Sequence, residues 1–336
     1  MAATPVFEHH TICAEDILDR SCIIYGGSGC GKSTAIQHLL FLLRDHIPTV
    51  IVFSGSEQTN GLYSRHMVPR QLVHDSLNGD IIGRIMTRQQ QNVQIYKKAT
   101  NEDVTRKLFE KYASAQDRET IRRMQDAYDS MTRDVSASMR DKMNDTFRAS
   151  VRKIRANVIR KARTAILADA SASSEEKISA KFIDLNPRVV VVVDDCSSDL
   201  SRSKTNEDIL ESLFRGRHIM MTILIGVHAL NSFSPAARSN AHVSVFMDGS
   251  IANAFAQNSA NGILGASRDE FIRYSRQICK DTSPYTKMIR FNDHIALCTF
   301  SLHEPFCAVA HDVAEYCKKI ERMNREEDTG WMSKLV

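Results

Sequence analysis

The hydrophobic pattern divides the chain into two textures. In the first, short apolar runs end at glycine or proline and alternate with stretches at helical spacing. Ser21–Tyr25 (SCIIY) predicts a buried strand; a Gly-rich stretch follows, and Ser33–Arg44 (STAIQHLLFLLR) predicts a helix. Thr49–Ser54 (TVIVFS), between Pro48 and Gly55, predicts a second strand, and Gln71–His74 (QLVH) a short third after Pro69. Arg188–Val193 (RVVVVV) lacks polar alternation, as a central parallel strand buried on both faces would. Met220–Val227, His242–Met247 and Ile295–Phe300 predict later strands. Helices are expected over Ile209–His218, Ile251–Gln257, Asp269–Lys280 and from Ala308 to about Arg325. Strands alternating with helices predict an α/β fold with a mostly parallel central sheet and right-handed crossovers.

The second texture lies between Gly83 and Pro187, where there is neither Gly nor Pro. Apolar residues recur at Ile121, Met124, Tyr128, Met131, Val135, Met139, Met143, Phe147, Val151, Ile154 and Val158, in steps of three or four. That spacing predicts a long amphipathic helical region whose Met and Val stripe is core or coiled-coil packing. Ala168–Ser174 predicts a loop. The expected organisation is the first part of an α/β core over 1–95, a basic helical insertion over 96–180, the second part of the core over 181–307, and a C-terminal helix and tail over 308–336.

Composition adds little until charge is located. The 336 residues are 43% hydrophobic and 25% charged, ordinary for a soluble protein. No apolar run approaches the roughly 18–20 residues of a membrane span, and the start, MAATPVFEHH, predicts no secretory leader. Eight Cys without a C-x-x-C pair predict reduced thiols in a cytosol-like compartment, and His9, His10, His242 and His294 form no metal spacing. The net charge of +4 hides an asymmetry. Lys97–Ala165 holds 18 Lys/Arg and 10 Asp/Glu, a net of +8; the rest holds 26 and 30, a net of −4. Within it, Thr146–Ala165 carries seven cations, Arg148, Arg152, Lys153, Arg155, Arg160, Lys161 and Arg163, and no acid. Such a helix face is a candidate for sequence-independent contact with double-stranded DNA. It equally fits a solvated face or one paired with an acidic protein.

Gly26-Gly27-Ser28-Gly29-Cys30-Gly31-Lys32-Ser33, followed by Thr34, fits the phosphate-binding loop G-x-x-x-x-G-K-[ST] between a strand and a helix. Glycines let successive N–H groups face phosphate oxygens, and the helix start adds its positive end. Lys32 would bridge the β- and γ-phosphates of ATP and Ser33 would ligate Mg²⁺. Cys30 is read as a small loop residue. Asp194-Asp195 follow the Val run, which delivers two carboxylates to the carboxyl edge of the sheet: Asp194 for the Mg²⁺ shell, Asp195 to polarise the attacking water. Arg217 in Phe214-Arg215-Gly216-Arg217-His218 is a candidate arginine finger for a neighbouring subunit, and His228, ending the MMTILIGV strand, a candidate γ-phosphate sensor.

Together, GGSGCGKST, TVIVFSGSEQTNGLYSRHMVP, VVVVVDDCSSDL and LFRGRHIMMTILIGVH resemble the genome-packaging ATPases of large nucleocytoplasmic DNA viruses, in the FtsK–HerA branch of P-loop motors. The resemblance covers residues 20–85 and 185–250. It implies a RecA-like core, Mg²⁺-dependent ATP hydrolysis driving double-stranded DNA into a capsid, a homo-oligomeric ring, a capsid or vertex partner, and work at the assembly site in the host cytoplasm or in the virion. Lys32 and Ser33 match the family's phosphate loop, Asp194 and Asp195 its acidic pair, and Arg217 its arginine. His228 departs from it, since the family usually has Gln there. The alternatives are a P-loop small-molecule kinase and a nucleotide-dependent regulatory or structural virion protein. The acidic pair favours hydrolysis over the former, and no N-K-x-D motif marks a GTPase switch.

Overall fold

The computed structural model describes residues 8–133, 135–200, 209, 211, 215–259, 261, 263, 267–281, 285–318 and 321. Two compact units are present: Gln90–Pro187 is one, and the chain on either side of it forms the other.

The second of these is built on an eight-stranded sheet in the order β3-β2-β4-β5-β1-β6-β7-β8. The strands are β1 Ser21–Tyr25, β2 Thr49–Ser54, β3 Val73–His74, β4 Val189–Asp194, β5 Met221–Val227, β6 Val243–Phe246, β7 Thr286–Arg290 and β8 Ile295–Thr299. The first six are mutually parallel; β7 and β8 close one edge antiparallel. β4 is buried at every position, as its Val run requires of a strand covered on both faces. Helix α1, Lys32–Leu43, packs Ile36, Leu39, Leu40 and Leu43 into a core shared with Val50, Val52, Val190, Val192 and Leu224. Because β5 lies between β1 and β4, the phosphate-loop strand and the Asp194 strand are separated by one strand whose end falls between theirs. This is a RecA-like P-loop core.

Several elements differ from expectation. Pro69 opens a 3-10 turn over Arg70–Leu72, so the third strand shrinks to two residues. Gly216–Ile219, predicted as the end of an α-helix, is also 3-10; much of Ile209–His218 lies outside the described residues. The C-terminal helix, expected from Ala308, begins at residue 311 and is present over 311–318; the rest of its predicted span, except residue 321, lies outside the described residues. β7 was not expected, because its charged residues mask the apolar signal: Arg290 is buried and donates to Ala241 O and Ser244 Oγ, while Lys287 donates to Met247 O.

The helical stretch is not continuous. It comprises α2 Gly79–Ala99, α3 Glu102–Tyr112, α4 Ala115–Met131, α5 Ala137–Ala168 and α6 Ser174–Phe182. Asn101, Ser114, Ser136 and Ser173 each accept a backbone N–H and start a new helix. The unit's core is Val104, Leu108, Ile159, Ile166, Ala180 and Ile183. The predicted stripe crosses the break between α4 and α5, which leaves Met131 and Met139 65% and 54% exposed instead of packed. Below that turn Tyr128 stacks on Phe147 at 4.9 Å.

Candidate nucleotide site

The loop after β1 is held tightly. Gly26 N donates to Val227 O at 3.0 Å, and a Cβ on Gly26 would lie 2.3 Å from Cys30 Sγ. Gly29 and Gly31 have φ of 73° and 92°, a backbone that side chains resist, and Gly31 caps the start of α1. Ser28 and Gly29 form the exposed tip, and Gly27, Cys30 and Thr34 are partly exposed. The Lys32 ammonium folds back over this loop, donating to Gly26 O at 3.0 Å and Gly27 O at 2.8 Å. It also meets His228 Nδ1 at 3.3 Å.

The acidic pair splits into two environments. Asp194 is 1% exposed, and its Oδ2 accepts from Ser33 Oγ and from Tyr63 OH, both at 2.8 Å. Asp195 has a side chain 47% exposed and accepts from His228 Nε2 at 2.9 Å. An ammonium can only donate, so His228 Nδ1 is an acceptor, and its proton sits on Nε2 facing Asp195. Lys32, His228 and Asp195 thus form one directed chain of hydrogen bonds. Asp195 also adopts φ 56°, uncommon for a residue with a side chain. The turn is tight enough that a Cβ on Gly55 would lie 2.3 Å from Asp195 O.

Lys32, Ser33, Asp194, Asp195 and His228 therefore converge at the carboxyl edge of three adjacent strands. Arg217 does not join them. It precedes β5 while His228 follows it, and seven residues of strand at about 3.3 Å each place it roughly 20 Å away, at the opposite edge. Arg217 is exposed there, its Nε donating to His218 Nε2 at 3.3 Å. Arg215 pairs with Glu211 at 2.5 Å.

On α5, Arg152 pairs with Glu102 at 3.0 Å, Arg160 with Asp184 at 2.6 Å, and Arg163 with Asp184 as well. Arg148, Lys153 and Lys161 are exposed, and Arg155 is half-buried. Three of the seven predicted cations thus pair with carboxylates of their own unit, on the side of α5 where Ile159 is core.

Sequence reading missed Tyr63, Glu57, Gly55 and Gly226. Tyr63 is fully buried, and burial followed by the Asp194 charge holds its phenol far above the usual range, so it stays a proton donor. The buried Glu57 carboxylate accepts from the backbone of Tyr63 at 3.2 Å and of Ser64 at 2.8 Å. A Cβ on Gly226 would lie 2.8 Å from Asp194 Oδ1. The only signal was position: Gly55 and Tyr63 fall in the stretch after β2, and Gly226 is the one glycine inside β5.

Chemically, this arrangement can hold a nucleoside triphosphate and orient a water for attack on its γ-phosphate. The hydroxyl of Ser33 and the carboxylate behind it are hard oxygen donors of the kind Mg²⁺ takes, and Gly226 keeps that pocket open. Among the described residues no group of three His, Cys, Asp or Glu forms a separate metal cluster.

No family model matches the chain. Protein B354L of African swine fever virus is 21% identical over 324 residues, 91% of this chain and 89% of that protein. Protein 075L of Invertebrate iridescent virus 6 is 42% identical over 67 residues, 20% of this chain and 26% of that one. Among solved structures, the genome-packaging NTPase B204 of Sulfolobus turreted icosahedral virus 2, in complex with ATP-gammaS, aligns at TM-score 0.36 and 11% identity, over 86% of this chain and 98% of that one. The bacterial conjugative coupling protein TrwB aligns at TM-score 0.38 and 13% identity, over 90% and 92%.

Proposed function

We propose that this protein is a Mg²⁺-dependent ATPase of the genome-packaging branch of the FtsK–HerA motors, moving double-stranded DNA into a viral capsid. The observation that carries the reading is the convergence of Lys32, Ser33, Asp194, Asp195 and His228 on one sheet edge. The extended similarity to a protein of a large DNA virus supports the viral setting. The host-cell assembly site or the virion, a ring of copies and a capsid or vertex partner belong to the same reading.

Triphosphate binding replaces the loop carbonyls around Lys32 with β- and γ-phosphate oxygens, so the ammonium exchanges one set of acceptors for a more charged one. Mg²⁺, held by Ser33 with Asp194 behind it, would neutralise charge developing on the phosphates. The exposed Asp195 is placed to take a proton from the attacking water, and His228 Nε2–H fixes its carboxylate in place. Arg217 reaches a γ-phosphate only from a second copy of the chain.

The test is steady-state ATP hydrolysis with and without long double-stranded DNA, with Lys32→Ala as the blank. Stimulation by DNA is the expected result. Turnover indifferent to DNA would instead favour a kinase-like or regulatory P-loop protein.

A further inference from the structure

We infer that Tyr63 is a positioning residue for the metal-side carboxylate: its hydroxyl fixes Asp194 in the orientation that a nucleotide-bound Mg²⁺ requires. This rests on the reading of the site as Mg²⁺-dependent. Asp194 Oδ2 has two donors, Ser33 Oγ and Tyr63 OH, each at 2.8 Å. The first is the group that would turn to the metal, which leaves Tyr63 as the permanent donor to that oxygen. The phenol is suited to the task, being fully buried and unable to trade its bond for one to water. Its backbone is fixed as well, because the Glu57 carboxylate accepts from the N–H groups of Tyr63 and Ser64. On the other side Gly226 leaves space for Oδ1, where a Cβ would come within 2.8 Å. Asp194 is therefore aimed by a donor on one side and a gap on the other. The donor comes from the segment after β2, 131 residues away in sequence from the carboxylate it aims.

The experiment measures the affinity of a fluorescent ATP analogue for the full chain, once with Mg²⁺ and once with excess EDTA, in wild type and Tyr63→Phe. Partners that orient metal ligands typically contribute 10–100-fold to metal affinity. Tyr63→Phe is therefore expected to weaken Mg²⁺-dependent binding by about tenfold or more and to leave binding in EDTA unchanged, since the loop and Lys32 are intact. Unchanged affinity in Mg²⁺, or equal losses in Mg²⁺ and EDTA, would overturn the positioning role. Thermal melting of both proteins shows whether the fold is retained. If Tyr63→Phe does not fold, ultraviolet difference spectroscopy of wild type supplies the second test: adding Mg²⁺ to the nucleotide-bound protein draws charge from the carboxylate to which the buried phenol donates, so the phenol band should shift. A silent phenol would sink the idea. Failure of wild type to bind the analogue at all would instead reject the proposed function.

Discussion

At the residue scale the two carboxylates of the acidic pair are chemically distinct although adjacent in sequence. Asp194 is sealed beneath Ser33 and Tyr63, whereas Asp195 opens to water and leans on His228. That division predicts separable defects. Lys32→Ala should abolish ATP binding, because nothing else in the loop supplies a mobile cation. Asp195→Asn should keep binding and lower turnover about 10²–10⁴-fold, the usual contribution of a positioned general base. Asn tolerates the left-handed backbone at φ 56°, so the substitution tests chemistry instead of folding. Equilibrium nucleotide binding and single-turnover hydrolysis separate the two effects, and equal loss of binding in both variants would reject the division. The sequence showed these positions by motif. It did not show their inequality, because exposure depends on which residues of distant segments cover each oxygen.

At the element scale, the end of β5 decides the site. Its place between β1 and β4 sets His228 between Lys32 and Asp195, and its Gly226 leaves room for Asp194. Gly226→Ala should therefore cost about 1–3 kcal/mol, as forced overpacking does, read as a lower unfolding midpoint in urea. The packing of α1 gives a second expectation. His38 is buried on that helix against His303 and Phe300, and burial, with the neighbouring His303, lowers it to about 4. His242, beside β6, is lowered to about 4 by burial and then by Arg20. Between the ordinary histidine value of about 6.5 and 4, the unfolded chain binds protons that the folded chain refuses. Stability should fall as pH drops through that window. Melting at pH 7.5 and pH 5 checks the sign, and His38→Gln should shrink the difference. The strand pattern made most of these elements readable, since parallel strands buried on both faces are continuous apolar runs. β7 escaped because its charges, Arg290 buried and Lys287 half-buried, are bonded to backbone, which no hydropathy pattern reports.

At the scale of the whole molecule, Arg217 and the basic helix set the questions. Roughly 20 Å from its own site, Arg217 would act as the proposed finger only between copies, so mixing subunits should reveal it. Lys32→Ala and Arg217→Ala should each be inactive alone. Mixed, some interfaces pair an intact Lys32 with an intact Arg217, and partial ATPase activity should return. Absence of any recovery would remove Arg217 from catalysis. For DNA, Arg152, Arg160 and Arg163 are engaged in ion pairs, so Arg148 and Lys153 are the better pair to change. Replacing both with Gln should flatten the slope of log affinity against log salt by up to about 0.9 per cation. An unchanged slope would take α5 off the DNA path.

By itself the sequence determined the α/β class, the phosphate loop, the acidic strand end and the existence of a basic helical stretch. All of these are local: they depend on residue type within a few positions along the chain. Only the tertiary structure decided that Tyr63 and Gly226 shape the Asp194 pocket, that His228 joins Lys32 to Asp195, and that three of the seven predicted α5 cations pair with carboxylates of their own unit. Those facts arise where segments far apart in the chain meet. A hydrogen bond is fixed by distance and angle in space, and sequence periodicity encodes neither across such separations.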